Sequence, residues 1–319
     1  MDIETLVNST VDEIRNVSKK LFVAFSGGKD STLVALLAKE ALGKENVKLL
    51  NVTFGPYTYS KAIENVLNIS KRLNIGLDFR SGRRMQEQVW KNGPSCNRCT
   101  KYAKYAALDD YKDRIIATGS NQSDSWGKTG IKIKDNLYSP IRSWTKNDIQ
   151  KALDYFGFEV PRIGEGNIRE GCKLKHLLKI MANPSFHGYA VSAANEVLLD
   201  HIDSMEREIA NVKIIGSLSK NIALINVKPV PDISLREMIS SRILSIDGIH
   251  IVKWIMQPVK LKVVANPALY RTEHSRKWVI DGRLKPEFAF QIKVEWIESK
   301  NNKLHTFQIV ECLEENYHD

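Results

Sequence analysis

Apolar and polar positions follow two different repeats in the first half of the chain. Short apolar runs, typical of strands, alternate with segments whose apolar residues recur at helical spacing. The predicted strands are residues 22–25, 46–54, 75–79 and 114–118, and the predicted helices are 33–42 and 60–73. Because helices that connect parallel strands pack on the faces of a sheet, this order predicts a doubly wound, parallel α/β fold.

The pattern changes after about residue 212, where short β-branched and aromatic runs dominate. The strands predicted there are residues 212–215, 222–227, 250–254, 261–264, 288–296 and 307–310. One helix, 235–244, is predicted among them, introduced by a capping box of Ser234 and Glu237. We therefore predict two domains, 1–204 and 205–319, of which the second is a smaller α+β unit with a mainly antiparallel sheet.

A glycine-rich turn with hydroxyl residues on both sides follows the first strand. It reads Ser26-Gly27-Gly28-Lys29-Asp30-Ser31-Thr32. Two glycines let the backbone approach an anion closely, and the helix that follows presents unpaired N–H groups and its positive dipole end. The spacing of the glycines fits neither a Walker A loop nor a dinucleotide fingerprint. The pattern predicts a phosphate site at the carboxyl end of the strand, where open α/β sheets bind nucleotides.

A polar stretch, residues 120–136, interrupts the alternation of strands and helices, as a substrate-facing loop would. After it, Thr145 is the candidate N-cap of a helix whose apolar positions include Ile149, Leu153 and Phe156. The sequence therefore predicts one more helix that packs on the first domain.

Composition adds a charge bias to this picture. The chain has 319 residues, of which 43% are hydrophobic and 26% charged, and its formal net charge is +10. No stretch approaches about 20 uninterrupted apolar residues, and the amino terminus lacks the order of a signal peptide, so we expect a cytoplasmic protein without a membrane partner. The positive charge favours an anionic partner and fits an inert lysine-rich surface equally well.

Four cysteines are too few for the disulfide framework of a small secreted protein. Cys96 and Cys99 form a C-x-x-C pair just before a predicted helix, 101–108, and Cys172 lies in a polar turn before another predicted helix. Three such thiolates could hold a [4Fe–4S] cluster and leave one iron open for sulfide or substrate. A Zn²⁺ site completed by His176, and cysteines without a ligand role, are the alternatives. Cys312 is expected in the core.

Basic residues cluster around both cysteine segments. They are Arg80, Arg83, Arg84, Lys91, Arg98, Lys101 and Lys104 in one stretch, and Arg162, Arg169, Lys173, Lys175 and Lys179 in the other. A cationic entrance suits tRNA phosphates or a phosphorylated small molecule. The same charges could instead balance the negative charge of a metal cluster.

The loop, the C-x-x-C pair and the later cysteine resemble, in this order, the sulfur transferases of the PP-loop ATP pyrophosphatase family. These include tRNA-thiolating enzymes and the LarE type, which modifies a cofactor precursor. Similarity to the LarE type extends over roughly residues 15–200, where residues 119–124 match its Gly-Thr-Asn-x-Asp-Asp motif. Two positions depart from the type: Lys29 replaces a valine, and Ser123 replaces an acid. Asp124 alone would then supply the catalytic carboxylate.

The resemblance implies roles for particular residues. The implied nucleotide-binding residues are Ser26, Gly27, Gly28, Lys29, Asp30, Ser31, Thr32, Gly119 and Asn121. The implied catalytic residues are Lys29, Asp30, Asp124 and Cys172, and the implied metal ligands are Cys96, Cys99 and Cys172. The implied cofactors are ATP, Mg²⁺ and a [4Fe–4S] cluster, with Zn²⁺ as the alternative.

The activity that the resemblance implies is ATP-dependent sulfur transfer. Adenylylation of an acceptor oxygen, with release of pyrophosphate, makes that oxygen a leaving group, and sulfide on an open iron or a persulfide on Cys172 then attacks the carbon. The acceptor would be tRNA or a nucleotide-like cofactor precursor, and the donor sulfide or a sulfur carrier. The alternatives are a ligase resembling GMP synthetase, which uses ammonia and at most a structural zinc, and a non-catalytic nucleotide or RNA binder. Similarity of residues 239–243 to the GMP synthetase dimerisation domain predicts a homodimer.

Overall fold

The fold is seen in a computed structural model that describes residues 2–123, 133–163, 171–202 and 207–314. The chain forms two compact units. Unit 1 comprises Met1–Thr53, Ser60–Gly82 and Lys104–Pro161, and unit 2 comprises Phe54–Tyr59, Arg83–Ala103 and Arg162–Asp319. The predicted domains were divided between residues 204 and 205. In the structure, residues before that point pack with strands after it. Asn195 Nδ2, for example, donates to Val212 O at 2.9 Å.

Helices occur in both units. The α-helices are α1 (Ile3–Val17), α2 (Lys29–Leu42), α3 (Ser60–Leu73), α4 (Arg83–Trp90), α5 (Cys96–Cys99), α6 (Lys146–Tyr155), α7 (Tyr189–His201), α8 (Ile233–Leu244), α9 (Pro267–Arg271) and α10 (Glu273–Val279). In the ranges that the structure describes, no helix has the length and apolar character needed to cross a bilayer.

Unit 1 is built around a six-stranded sheet. Its strands are β1 (Leu21–Ala24), β2 (Val47–Thr53), β3 (Gly76–Ser81), β4 (Ile116–Ala117), β5 (Ile133–Lys134) and β6 (Leu137–Tyr138). Their spatial order is β3-β2-β1-β4-β6-β5. Five strands are parallel, and β5 adds an antiparallel edge through its pairing with β6.

Both faces of this sheet are covered, as the alternation of side chains along β1 shows. Leu21 and Val23 belong to the larger core, which also contains apolar residues of α1, α2, α3 and α6. Phe22 and Ala24 pack against a smaller core on the other face, centred on Leu108. The prediction of a doubly wound parallel α/β fold is therefore confirmed.

Local sequence signals placed most elements of unit 1 correctly. The helix predicted at residues 60–73 is α3. Thr145 caps α6: its hydroxyl accepts from Asp148 N at 3.1 Å, while Thr145 N donates to the Asp148 carboxylate at 2.8 Å. The predicted polar stretch lies partly outside the described residues, and its far end forms the β5–β6 hairpin.

Unit 2 contains two three-stranded sheets rather than one. Their strands are β7 (Ile209–Ile215), β8 (Asn221–Lys228), β9 (Ile249–Trp254), β10 (Val259–Ala265), β11 (Ile292–Glu298) and β12 (Phe307–Glu314). The orders are β7-β8-β9 and β11-β10-β12, and each sheet has one antiparallel and one parallel pair. The predicted mainly antiparallel sheet is wrong, because helical connections join β8 to β9 and β10 to β11 and return each strand in the same direction.

The start of α8 and the helix after the C-x-x-C pair also differ from prediction. Asp232 caps α8 by accepting from Leu235 N at 2.9 Å, in place of the predicted box of Ser234 and Glu237. After α5, the helix predicted at 101–108 is a π-helical turn, Thr100–Tyr105, followed by a 3₁₀ segment, Ala106–Tyr111.

Candidate functional site

The predicted phosphate loop lies between the carboxyl end of β1 and the amino end of α2. Gly27 has a φ of +73°, and a Cβ there would lie 2.9 Å from Val66 Cγ2 on α3, so this position requires glycine. Gly28 is the N-cap of α2, and within the described chain no side chain caps that end. The first-turn N–H groups are therefore available to an anion at the positive end of the helix dipole.

Hydroxyl groups give the loop its shape and one exposed donor. Ser31 Oγ accepts from Ser26 N at 3.2 Å, donates to Gly28 O at 3.1 Å, and lies 3.1 Å from Ser26 Oγ. Ser26 is exposed, so its hydroxyl can reach a ligand. Thr32 is fully buried, and its Oγ1 has no hydrogen-bond partner among the described residues. Ser31 therefore holds the loop in place, while Ser26 faces solvent.

Asn51, within β2, supports the loop and was not among the residues predicted from the sequence. Its Nδ2 donates to Phe25 O at 2.7 Å, and its buried Oδ1 has no partner within the part of the chain that the structure describes. The available signal is an amide that directly follows Leu49 and Leu50 in an apolar strand. Asn51 fixes the point at which the chain leaves β1 for the loop.

Asp30 connects the first turn of α2 to two other segments. Its Oδ2 accepts from Asn121 Nδ2 at 3.0 Å and from Lys146 Nζ at 2.6 Å. Gly119 makes this approach possible, because a Cβ there would lie 3.0 Å from Asp30 Cβ and 3.1 Å from Ser31 N. The structure thus brings the predicted residues Gly119 and Asn121 to the phosphate loop, and adds Lys146.

Two other charged residues, Lys29 and Asp124, are predicted for the site from the sequence. Lys29 is exposed, and its Nζ donates to Gln150 Oε1 on α6 at 2.8 Å. Lys29 therefore points toward α6 in this structure. Asp124, the predicted catalytic carboxylate, and Arg169 lie outside the described residues, so their roles stay predictions.

Cys96, Cys99 and Cys172 all belong to unit 2. Gln86 Nε2 on α4 donates to Cys172 Sγ at 3.3 Å. Burial raises the pKa of the Cys172 thiol, and the nearby Cys96 raises it further. Cys172 is therefore a neutral thiol near neutral pH, and Cys96 lies near enough for the two sulfurs to interact electrostatically.

The described residues give no support to the predicted metal site. In the ranges that the structure describes, no three His, Cys, Asp or Glu side chains converge as a metal-binding group. A protein-bound [4Fe–4S] cluster or structural Zn²⁺ needs three or four converging ligands. His176, the predicted fourth zinc ligand, follows Cys172 in one 3₁₀ turn, Lys173–His176, rather than on a shared helix face. Its Nδ1 lies 2.8 Å from Lys213 Nζ, so His176 belongs to a different group of residues.

That group is a buried charged cluster, which we define as His176, Lys213, Arg283 and Glu287. Lys213 Nζ donates to Glu287 Oε2, and Arg283 Nη1 donates to Glu287 Oε1 at 2.7 Å. Burial alone would raise the pKa of Glu287, but the Lys213 and Arg283 cations outweigh it and lower the pKa to about 2. Burial lowers the pKa of Lys213 to about 8. The cluster therefore contains an ionised carboxylate held by two cations.

The charged cluster is also part of the surroundings of the cysteines. The Arg283 guanidinium lies close enough to interact electrostatically with both Cys96 and Cys172. No local signal in the sequence reveals this relation, because Arg283 follows Cys172 by more than a hundred residues. The sequence likewise did not reveal Gln86, Lys213 and Glu287, whose relation to the cysteines and to Arg283 depends on the tertiary fold.

Some of the basic residues near the cysteines have structural partners. Arg83 forms an ion pair with Glu87 at 2.8 Å, and Lys173 forms one with Glu196 at 2.6 Å. Lys179 is fully buried and donates to the oxygen atoms of neighbouring residues. These three cations therefore contribute less to a cationic entrance than the sequence predicts.

Comparison with known proteins identifies the loop-bearing region. Residues 2–84 match the family model described as NAD synthase, a PP-loop family, and this segment runs from α1 through β1, the loop and α2 to β3. The region that carries the phosphate loop is therefore similar to PP-loop ATP pyrophosphatases. Its loop joins β1 to α2, and the segment after β4 supplies Gly119 and Asn121.

Individual relatives share parts of this chain. A glutamine-dependent NAD(+) synthetase from Thermotoga maritima is 42% identical over 71 residues, which are 22% of this chain and 12% of the relative. An uncharacterized protein from Methanocaldococcus jannaschii is 31% identical over 158 residues, 44% of this chain and 56% of that protein. The chain therefore spans at most about half the length of these curated relatives.

A solved structure gives a further match. It is an NH3-dependent NAD synthetase from Campylobacter jejuni in complex with the nitrate ion, with 24% sequence identity and a TM-score of 0.42. The match covers 50% of this chain and 75% of that protein.

Proposed function

We propose that the chain is an enzyme that uses ATP to adenylylate an oxygen atom of an acceptor and releases pyrophosphate. The observation that carries this proposal is the loop between β1 and α2. Gly28 leaves the amino end of α2 open, the exposed Ser26 offers a hydroxyl, and Asn51 fixes the preceding backbone. This combination suits the phosphates of a nucleotide, and the family match to residues 2–84 supports it.

In the first step, an acceptor oxygen attacks the α-phosphorus of ATP. The bond from that phosphorus to the bridging oxygen breaks, and pyrophosphate leaves with the electron pair. Mg²⁺ enters as part of the Mg–ATP substrate. The N–H groups at the start of α2 and the Ser26 hydroxyl would stabilise the charge on the leaving phosphates. Asp30 would hold Asn121 and Lys146 at the nucleotide rather than act as a base.

In the second step, we propose that a sulfur nucleophile displaces AMP. Hydrosulfide adds to the adenylylated carbon, and the carbon–oxygen bond then breaks, so that AMP leaves and the acceptor retains sulfur. Arg283 interacts electrostatically with Cys96 and Cys172, and this supports sulfur chemistry, because a cation stabilises a hydrosulfide anion. No step is assigned to a [4Fe–4S] cluster or to zinc, because the described side chains do not converge as a metal site.

A second candidate is an ammonia-dependent ligase that forms an amide in place of a thio product. The match of residues 2–84 to the NAD synthase family, and the 42% identity with an NAD(+) synthetase over 71 residues, favour it. Ammonia would attack the same adenylylated carbon and displace AMP. This reaction gives Cys96 and Cys172 no role, and that difference separates the two candidates.

One labelling experiment tests the adenylylation and distinguishes the nucleophiles. The full chain is incubated with Mg–ATP and either unmodified tRNA or a nucleotide carboxylate, together with ³⁵S-sulfide or ¹⁵N-ammonia, and pyrophosphate release is measured. Sulfur transfer predicts pyrophosphate release and ³⁵S incorporation, which Cys96→Ser and Cys172→Ser abolish and the control Cys312→Ala retains. Incorporation of ¹⁵N alone would establish the ligase instead. Absence of acceptor-dependent pyrophosphate release would refute adenylylation of these acceptors.

A further inference from the structure

A cavity of about 460 Å³ lies within unit 2, next to the C-x-x-C segment. Its volume falls within the range of about 300–1,000 Å³ that is typical of small-molecule sites. Cys96 forms part of its wall, together with residues from α9, α10 and the start of β12. The cavity is therefore large enough for a small ligand and contains a thiol.

Much of the cavity wall is apolar or aromatic. Leu269, Val279 and Phe307 contribute to the wall, and Trp278 lines it while remaining 52% exposed. A Trp side chain with half of its surface open at a cavity offers a face on which a planar ring can stack, and such stacking adds to the burial of apolar area. These residues favour a ligand with a flat aromatic part.

The charge of the cavity favours an anion. Among the described residues that line it, none is acidic, and Arg283 supplies a cation. Arg98 reinforces this bias, because its Nη1 lies 3.2 Å from His305 Nδ1. Glu287 offsets part of the Arg283 charge from behind the wall. The ligand would therefore carry a negatively charged group beside its apolar part.

We propose that this cavity binds a planar aromatic molecule that carries a negatively charged group, with the ring against Trp278 and the ligand beside the Cys96 thiol. The identification of this molecule as the acceptor rests on the proposed function, but its binding does not require ATP. An anionic aromatic acceptor in this position would lie close to a sulfur atom of unit 2.

The test uses the full-length protein and 1-naphthyl phosphate, which combines a flat ring with an anionic group. Calorimetry would detect saturable binding without ATP, and Trp278→Ala would weaken the affinity by about tenfold or more, equivalent to about 1.4 kcal/mol. Tyr155→Ala is the matched control, because Tyr155 is 48% exposed and lies on α6 in unit 1. Neutral 1-naphthol and inorganic phosphate should each bind at least about tenfold more weakly than the probe, because 1-naphthol lacks the anionic group and phosphate lacks the aromatic ring.

Alkylation of Cys96 provides a second readout. Bound 1-naphthyl phosphate should slow iodoacetamide labelling of Cys96, measured by peptide mass spectrometry. Equal probe affinity in wild type and Trp278→Ala, or unchanged labelling of Cys96 at saturating probe, would overturn the inference. A Mg–ATP titration and the pyrophosphate assay separate it from the proposed function. Binding of Mg–ATP without binding of the probe refutes only the cavity assignment, whereas probe binding without acceptor-dependent pyrophosphate release refutes only the proposed reaction.

Discussion

Gly28→Ser tests whether glycine at the N-cap of α2 serves a ligand or the fold. The Gly28 backbone has a φ of −85° and a ψ of 167°, an extended conformation open to any residue. A Cβ there would meet only Ser26 Oγ, at 3.5 Å, which is ordinary van der Waals contact. Because serine is at least as good an N-cap as glycine, we expect the free energy of unfolding to change by less than about 0.5 kcal/mol.

Mg–ATP binding should respond quite differently to this substitution. The added Cβ and hydroxyl occupy the space above the first-turn N–H groups, so a phosphate could no longer approach the backbone closely. We expect the affinity for Mg–ATP to fall by at least about tenfold, or about 1.4 kcal/mol. Isothermal titration calorimetry measures the binding, and urea unfolding followed by circular dichroism measures the stability.

Gly282→Ser is the matched control, since a Cβ there would lie no closer than 3.7 Å to Trp278. It should leave Mg–ATP binding unchanged. If Gly28→Ser folds normally and binds Mg–ATP within about twofold of wild type, which is about 0.4 kcal/mol, the loop is not a close-contact phosphate site. If Gly28→Ser unfolds, glycine at this position serves the fold, contrary to the geometry.

Three further predictions concern the supporting residues. Gly119→Ala should lower the free energy of unfolding by about 1–3 kcal/mol in urea, because its Cβ would lie 3.0 Å from Asp30 Cβ; an unchanged midpoint would contradict this contact. The folded-state pKa of Glu287, lowered to about 2 from 4.5, means that its stabilising contribution is present above pH 4.5 and is lost as the pH falls toward 2. Acid titrations of stability should therefore be flatter in this window for Glu287→Gln than for wild type, and parallel curves would argue against the ion pairs. Cys172 should react slowly with iodoacetamide at pH 7, and Cys96→Ser should accelerate the reaction by lowering the pKa of the Cys172 thiol; a slower reaction would contradict the electrostatic relation.

The sequence predicted those features whose causes lie within a few residues of one another. The turn at Gly27 and Gly28, the capping box of Thr145, and the periodicity of α3 are local, and each was found where its signal lies. The role of Asn51 was not local in this sense, because its Nδ2 donates to Phe25 O, 26 residues earlier in the chain. The fold of unit 1 was therefore predictable, together with the position of its candidate nucleotide site.

The surroundings of the cysteines were not predictable in the same way. Lys213, Arg283 and Glu287 are far from Cys96 in the sequence, and Lys213 lies in the largely apolar strand β7. Only the tertiary fold brings them into one buried group. The spacing of a C-x-x-C pair identifies two nearby thiols. It does not determine whether the rest of the protein places further metal ligands or an arginine near them.

The interleaved segments of the two units have a consequence for the order in which the protein is made. During synthesis the amino-terminal parts of a chain become available for folding first. The sheet of unit 1 is complete once residue 161 has left the ribosome, whereas Cys96 gains its Arg283 and Glu287 surroundings only after residue 287 has emerged. The nascent chain can thus contain a folded unit 1 while the residues that surround its thiols in unit 2 are not yet in place. In that interval Cys96 and Cys172 lack the Arg283 cation, so their reactivity toward oxidants and sulfur-carrying proteins differs from that in the folded protein.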